Sequence, residues 1–161
     1  MKRYLLVLIA LATLLHAQSA NDLFQKQDWE GAAKLYRAAV TENASDGLSW
    51  FRLGTCLHRM NRNEESRNAF QKALDLRFQP LQAMVVIARS HVKDDRPAEA
   101  MKWLKQAADA GFSNPGFLDS DPDFVRVKSD PEFVKVRARV DQNSHPCMAR
   151  PEYRQFDFWL G

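Results

Sequence analysis

Four basic side chains are the residues of this sequence with the clearest capacity for chemistry: Arg52, Arg59, Arg89 and Lys93. Guanidinium and ammonium groups bind carboxylates through charge-assisted hydrogen bonds, so these residues could hold an acidic or C-terminal segment of another protein. The alternative is that they are solvated charges on an ordinary exposed face, because surface charges seldom mark a site. The sequence leaves both interpretations open.

Catalytic and metal-binding patterns are missing from the sequence. It contains no H-E-x-x-H, G-x-S-x-G, C-x-x-C, Walker or dinucleotide glycine motif. His58 and His91 could reach related helix faces, but two histidines without a third ligand make a poor metal site. His91 is better explained as a ring packed between helices, and Ser66, which has no paired base, as a small packing residue. We therefore expect a protein that is not an enzyme and that uses no cofactor or metal.

Asp119, Asp121 and Asp123 match the opening of a calcium-binding loop, D-x-D-x-D. The match then fails, because Phe124 stands where the loop needs glycine and Asp130 where it needs glutamate. Calcium binding is therefore the disfavoured interpretation of these carboxylates.

The chain repeats itself every 34 residues, in units 13–46, 47–80 and 81–114. Large apolar residues recur at columns 4, 7 and 11 of the unit, and small residues recur at columns 8, 20 and 27. The middle unit is the clearest and carries Trp50, Leu53, Gly54, Leu57, Ser66, Phe70, Ala73 and Pro80 at the patterned columns. This spacing predicts a helix–turn–helix hairpin that buries its apolar side only by stacking on the next unit.

On these residues the chain resembles the tetratricopeptide repeat (TPR) family, whose pattern is W-x2-L-G-x2-Y…A-x3-F…A…P. The resemblance implies an all-α fold: a right-handed solenoid of three helix–turn–helix repeats within residues 20–115, with short capping helices within residues 116–141. The first helices of the three units would build a concave face. The residues that we expect to bind a peptide there are Asn21, Phe24, Phe51, Arg52, Thr55, His58, Arg59, Arg89 and Lys93.

The family's carboxylate-clamp subgroup is not matched, since Arg52, Gln82 and Val86 stand where that clamp has Asn, Lys and Arg. The partner is therefore expected to be a protein or peptide, without a chaperone-tail clamp.

After the repeats come two nine-residue copies that begin Asp-Pro-Asp-Phe-Val and Asp-Pro-Glu-Phe-Val, at residues 121 and 130. Asp is a good N-cap and Pro is well placed at the first helical position, so the pattern predicts short helices over 122–128 and 131–140. Their apolar side, Phe124, Val127, Phe133 and Val136, would close the open end of the array.

Residues 1–19 have the order of residues typical of a secretory signal. Lys2 and Arg3 precede a run of apolar and small residues at 4–15, and the small residues Ala17, Ser19 and Ala20 follow. Twelve helical residues rise only about 18 Å against a hydrocarbon core of about 30 Å, so a stable membrane span is not expected. An uncleaved anchor or a buried first helix is the alternative. We predict a periplasmic or secreted protein.

The charge of the mature chain gives no reason to expect nucleic acid or a membrane as partner. Two of the 23 basic residues lie in the signal, which leaves 21 against 20 acidic residues. Cys56 is expected to be a small buried residue, whereas Cys147 could pair outside this chain.

Residues 142–152 are polar, contain two prolines and predict a linker. The aromatic run at 153–161 resembles the first strand of a calycin-like β-barrel domain. It suggests an alternative function, in which the helical array is an accessory domain that positions a ligand-binding or catalytic barrel not included in this chain.

Overall fold

The computed structural model describes residues 19–145. Within that range the chain forms helices and no strand, which confirms the all-α prediction. Most of the predicted signal, most of the predicted linker, Cys147 and the predicted strand at 153–161 lie outside the described residues.

Six helices follow the repeat pattern. They are α1 (19–25), α2 (Trp29–Glu42), α3 (Gly47–Arg59), α4 (Asn63–Asp75), α5 (Pro80–Lys93) and α6 (Pro97–Asp109). Consecutive helices pack on one another as hairpins, and α2 on α3 and α4 on α5 join each hairpin to the next. This is the stacked helix–turn–helix array that the periodic apolar columns predict.

The repeat in the sequence is also a repeat in the backbone. The residues with positive φ at the hairpin turns are Gln27, Asn61 and Asp95, at 61°, 59° and 57°. In each hairpin the next residue donates its N–H at 2.9 Å to a carbonyl five positions earlier, the bond that terminates a helix in a left-handed turn. The three turns are therefore copies of one geometry.

The columns of the repeat that carry small residues lie where paired helices approach each other closely. A Cβ on Gly54 would lie 3.0 Å from the ring of Phe70, so a larger residue there would push the ring aside. Ser66 is fully buried and donates its hydroxyl to the carbonyl of Gly54 at 2.8 Å. Ser66 thus packs the hairpin, in agreement with the interpretation of its column.

Residues 115–144, which we call the cap, form α7 (Pro115–Ser120), a 3-10 helix (Pro122–Val127) and α8 (Pro131–Ser144). The carboxylates of Asp121 and Asp130 accept N–H groups at 2.9 and 2.8 Å, as the Asp-Pro pattern predicts. Phe124 and Phe133 are buried with their rings 5.8 Å apart, in one apolar cluster with residues of α5 and α6. The cap is thereby part of the core and closes the array.

Two details of the cap differ from the prediction. The segment α7 was not predicted, and α8 continues through residues 142–144, which the sequence assigned to a linker. The helix extends because the Asn143 amide donates to the carbonyls of Ala108 and Phe112 at 2.7 and 2.9 Å, which fixes this last turn on α6 and the loop after it.

Cys56 is a free thiol with 0% of its surface exposed. Burial raises its pKa to about 11, and the nearby Arg52 opposes that shift only partly. Since the thiolate is the reactive form, Cys56 is a small packing residue at neutral pH, as expected. No helix among the described residues combines the length and apolarity needed to cross a bilayer.

Candidate functional site

The predicted peptide-binding residues all lie on α1, α3 and α5, the first helices of the three hairpins. The cap divides all of them except Phe51 into two groups. His58, Arg89 and Lys93 lie against the 3-10 helix and form what we call the closed half. Asn21, Phe24, Arg52, Thr55 and Arg59 lie farther toward the N-terminus and form the open half.

In the closed half, an acidic side chain of the protein itself binds the basic residues. Arg89 donates to the Oδ2 atom of Asp123 from Nη2 at 2.9 Å and from Nε at 3.1 Å. The same Nε lies 3.1 Å from Oδ2 of Asp121, and the Lys93 ammonium lies 3.9 Å from the other oxygen of Asp123. Arg89 and Lys93 therefore do bind carboxylates, but these carboxylates come from the cap.

His58 completes the same cluster and is only 4% exposed. Its Nε2 lies 2.9 Å from Oδ2 of Asp123 and its Nδ1 lies 3.2 Å from the hydroxyl oxygen of Ser90. An ionised carboxylate can only accept, so Nε2 carries the proton, and the unprotonated Nδ1 shares the single Ser90 hydroxyl proton with the Val86 carbonyl. His58 is thus covered by the cap and is not available to an external peptide in this conformation.

The charges around His58 keep it neutral. Burial lowers its pKa to about 4, and the neighbouring cations Arg89 and Lys93 add to that effect more than Asp123 opposes it. Burial alone would raise the pKa of Asp123, yet the hydrogen bond from His58 and the two cations hold that pKa below its usual value. At neutral pH the cluster therefore contains a neutral imidazole and a carboxylate shared by two cations.

The order Asp123, His58, Ser90 has the connectivity of a hydrolase charge relay, but its geometry is structural. Ser90 has 0% of its surface exposed, and its hydroxyl also lies 3.1 Å from the Val86 carbonyl. A nucleophile must reach its substrate, and this hydroxyl reaches only its own protein. The arrangement joins α3, α5 and the cap.

The three carboxylates of the calcium-like pattern are paired with two arginines. Asp119 pairs with Arg137 at 2.8 Å, while Asp121 and Asp123 face Arg89. Across residues 19–145 no group of three or more His, Cys, Asp or Glu side chains is arranged to hold a metal ion.

The open half presents arginines on aromatic rings. The guanidinium carbon of Arg52 lies 4.4 Å from the ring centre of Phe24, and that of Arg59 lies 5.7 Å from the ring of Trp29. The two rings meet edge to face with centres 5.3 Å apart. In the described part of the chain, no carboxylate lies within ion-pair distance of either arginine, in contrast to Arg89. Both guanidinium groups keep their hydrogen-bonding capacity for a ligand.

The remaining predicted residues have mixed surroundings. Asn21 is exposed on α1. Phe51 is half-buried and packs on the rings of Phe70 and Phe78 at 5.1 and 5.9 Å, so much of it serves the α3–α4 contact. Thr55 donates its hydroxyl to the Phe51 carbonyl at 3.0 Å.

Sequence reasoning did not find Asp121, Asp123 and Ser90 as partners of the basic residues. The available signal was charge complementarity between the basic columns and the Asp-x-Asp pair that follows the repeats. His91, expected to pack between helices, is half-buried, with its Nδ1 atom enclosed, and burial lowers its pKa.

A tetratricopeptide repeat family model matches residues 18–77 and 59–115 of this chain. The chain belongs to the tetratricopeptide repeat family. Its described structure is also similar to the crystal structure of the Yersinia enterocolitica type III secretion translocator chaperone SycD in an alternative dimer. That TPR-like fold matches with a TM-score of 0.58 and 16% identity, over 83% of this chain and 89% of that chain. No curated protein sequence gives a significant match.

Tetratricopeptide repeats stack into solenoids whose concave surfaces bind other proteins, so family membership supports a protein-binding scaffold. Repeats of this family are typically not enzymes. The alternative of an accessory domain for a C-terminal barrel depends on residues 153–161, outside the described range.

The Asp123 contact predicts a specific loss of stability. In the D123N variant the shared carboxylate is lost, and the free energy of unfolding, measured by urea denaturation, should fall by about 2 kcal/mol, as for hydrogen bonds to charged groups. The matched control is D119N, which breaks the exposed pair with Arg137 and should cost less than about 1 kcal/mol. Equal losses in the two variants would contradict the assigned role of Asp123.

His58 predicts an acid-sensitive fold. Because its pKa is about 4 in the protein and about 6.5 when unfolded, the unfolded chain binds more protons between these pH values. The free energy of unfolding should therefore be highest above pH 6.5 and fall by up to about 3 kcal/mol as the pH is lowered toward 4. Urea titrations across this range should show a flatter profile for H58Q, whereas H91Q should keep most of the slope. An unchanged slope in H58Q would disprove the assignment.

Proposed function

We propose that this protein is a non-enzymatic scaffold that binds an acidic or C-terminal protein segment through the open half of its concave face, in the periplasm or outside the cell. The observation that carries the proposal is the contrast between its two pairs of cations. Arg89 and Lys93 contact carboxylates of the cap, whereas Arg52 and Arg59 lie over aromatic rings with no carboxylate beside them in the described range.

Acidic ligands suit this surface for two physical reasons. Stacking on Phe24 and Trp29 orients the guanidinium groups before a ligand arrives, which lowers the entropy lost on binding. The planar guanidinium group also matches a carboxylate with two parallel hydrogen bonds, which a solvated lysine cannot do. A peptide that brings one or two carboxylates would therefore find prepared partners.

The proposed location rests on residues 1–19 alone, whose basic, apolar and small segments follow the order of a secretory signal. A scaffold exported in this way would meet its partner in the cell envelope or outside.

Partner capture tests the proposed surface. Tagged wild-type protein is used to pull down proteins from an envelope extract, in parallel with R52E/R59E and with the charge-matched control K34E/K72E, whose changes lie on the second helices α2 and α4. Arg89 is left unchanged because it holds the cap. The captured protein should be lost from R52E/R59E and retained by K34E/K72E, since only the former reverses the charge of the open half. Equal capture by both variants would refute the surface.

Export is tested separately with a reporter. Residues 1–20 are fused to an alkaline phosphatase that lacks its own signal and that needs an oxidising compartment for its disulfides. The fusion should be active, and the L8R change, which interrupts the apolar run, should abolish the activity. Activity that survives L8R would argue against a secretory signal.

A further inference from the structure

The 34-residue repeat relates the closed half of the concave face to the open half. Asp123 lies against His58, Arg89 and Lys93. The residues one repeat toward the N-terminus of these three are Phe24, Thr55 and Arg59. Because the hairpins are copies of one geometry, those three residues surround the corresponding position between the first two repeats.

The second position also has two cations, but one of them stands at a different column of the repeat. Thr55 stands where Arg89 stands in the next repeat and brings no charge. Arg52, which corresponds to the uncharged Val86, instead places its guanidinium 4.4 Å from the centre of the Phe24 ring. Each position thus has two cations, Arg89 with Lys93 in the closed half and Arg52 with Arg59 in the open half.

The first position has a polar pair of residues at its base, and the second position has an apolar pair. The polar pair His58 and Ser90, whose side chains are hydrogen-bonded, corresponds to the apolar pair Phe24 and Cys56. A buried imidazole needs a polar partner, whereas a phenyl ring does not, so both residues of the pair change together. Cys56 is fully buried and Phe24 is half-buried, so the ring of Phe24 is the part of this pair that can contact the aliphatic or aromatic part of a ligand beside its carboxylate.

From this correspondence we propose that Phe24, Arg52, Thr55 and Arg59 form a second carboxylate subsite, equivalent to the one that Asp123 occupies. Its ligand is an acidic side chain of a partner peptide whose chemistry resembles the cap segment 121–124, a carboxylate followed by an aromatic residue. The proposal deepens the proposed function and rests on it, because it names the ligand of the same open half.

The cap sequence itself provides the probe. A fluorescein-labelled peptide with the sequence of residues 119–125, Asp-Ser-Asp-Pro-Asp-Phe-Val, is titrated with the full chain, and binding is followed by fluorescence anisotropy. The wild type should bind the peptide. R59E should weaken binding about tenfold or more, because it replaces a charged hydrogen bond with a repulsion. The same loss is expected when the peptide's fifth residue, which corresponds to Asp123, is changed to Asn.

The charge-matched control is K34E on α2, which should bind the peptide as the wild type does. R59E should keep a cooperative urea transition, since Arg59 is exposed and makes no ion pair within the described residues and only its contact with the Trp29 ring is lost. Equal weakening by K34E and R59E would mean attraction by net charge alone and would overturn the subsite. Absence of binding to the wild type at millimolar protein would overturn it too.

The outcomes separate this subsite from the proposed function. If R52E/R59E loses the envelope partner but the cap peptide does not bind, the surface stands and the inferred ligand chemistry is wrong. If both experiments are negative, the surface itself is wrong.

Discussion

One carboxylate, that of Asp123, joins the cap to two of the repeats. It receives hydrogen bonds from His58 on α3 and from Arg89 on α5 and so ties two repeats to the cap. A largely buried charge is tolerated only when its partners are complete, and here two cations and an imidazole N–H provide them. His58 is neutral in this arrangement because burial disfavours its charged form and because Arg89 and Lys93 would repel a third positive charge; both effects lower its pKa.

The cap contact also limits the extent of the proposed binding surface. Basic residues lie on both α3 and α5 of the concave face, but the acidic cap covers the end near α5. There Phe124 of the cap is buried in the apolar core. The surface that we propose for a partner is therefore short and lies between the first two repeats. There Arg52 and Arg59 have aromatic neighbours, as Arg89 does in Phe117, but within the described residues they lack the carboxylate neighbours of Arg89.

The parts of this structure that the sequence could predict are those set by local patterns. Hairpins, turns and the Asp-Pro helix starts depend on residues within one 34-residue unit or one nine-residue copy, so their columns reveal them. The contact between His58 and Asp123 joins residues 65 positions apart, so a pattern within one repeat cannot predict it. The last turn of α8 was missed for the same reason, because Asn143 is held by the distant carbonyls of Ala108 and Phe112.

We propose that the concave face binds acids at two equivalent positions, one filled by the cap and one open. Chemical-shift mapping tests this claim most directly, with isotope-labelled protein and the unlabelled cap peptide in an NMR titration. The account predicts perturbed amide resonances at Phe24, Thr55 and Arg59, with little change at Arg89 and Lys93. Perturbations centred on Arg89 and on the 3-10 helix would contradict it, because they would show that the peptide displaces the cap and leaves the open half unused.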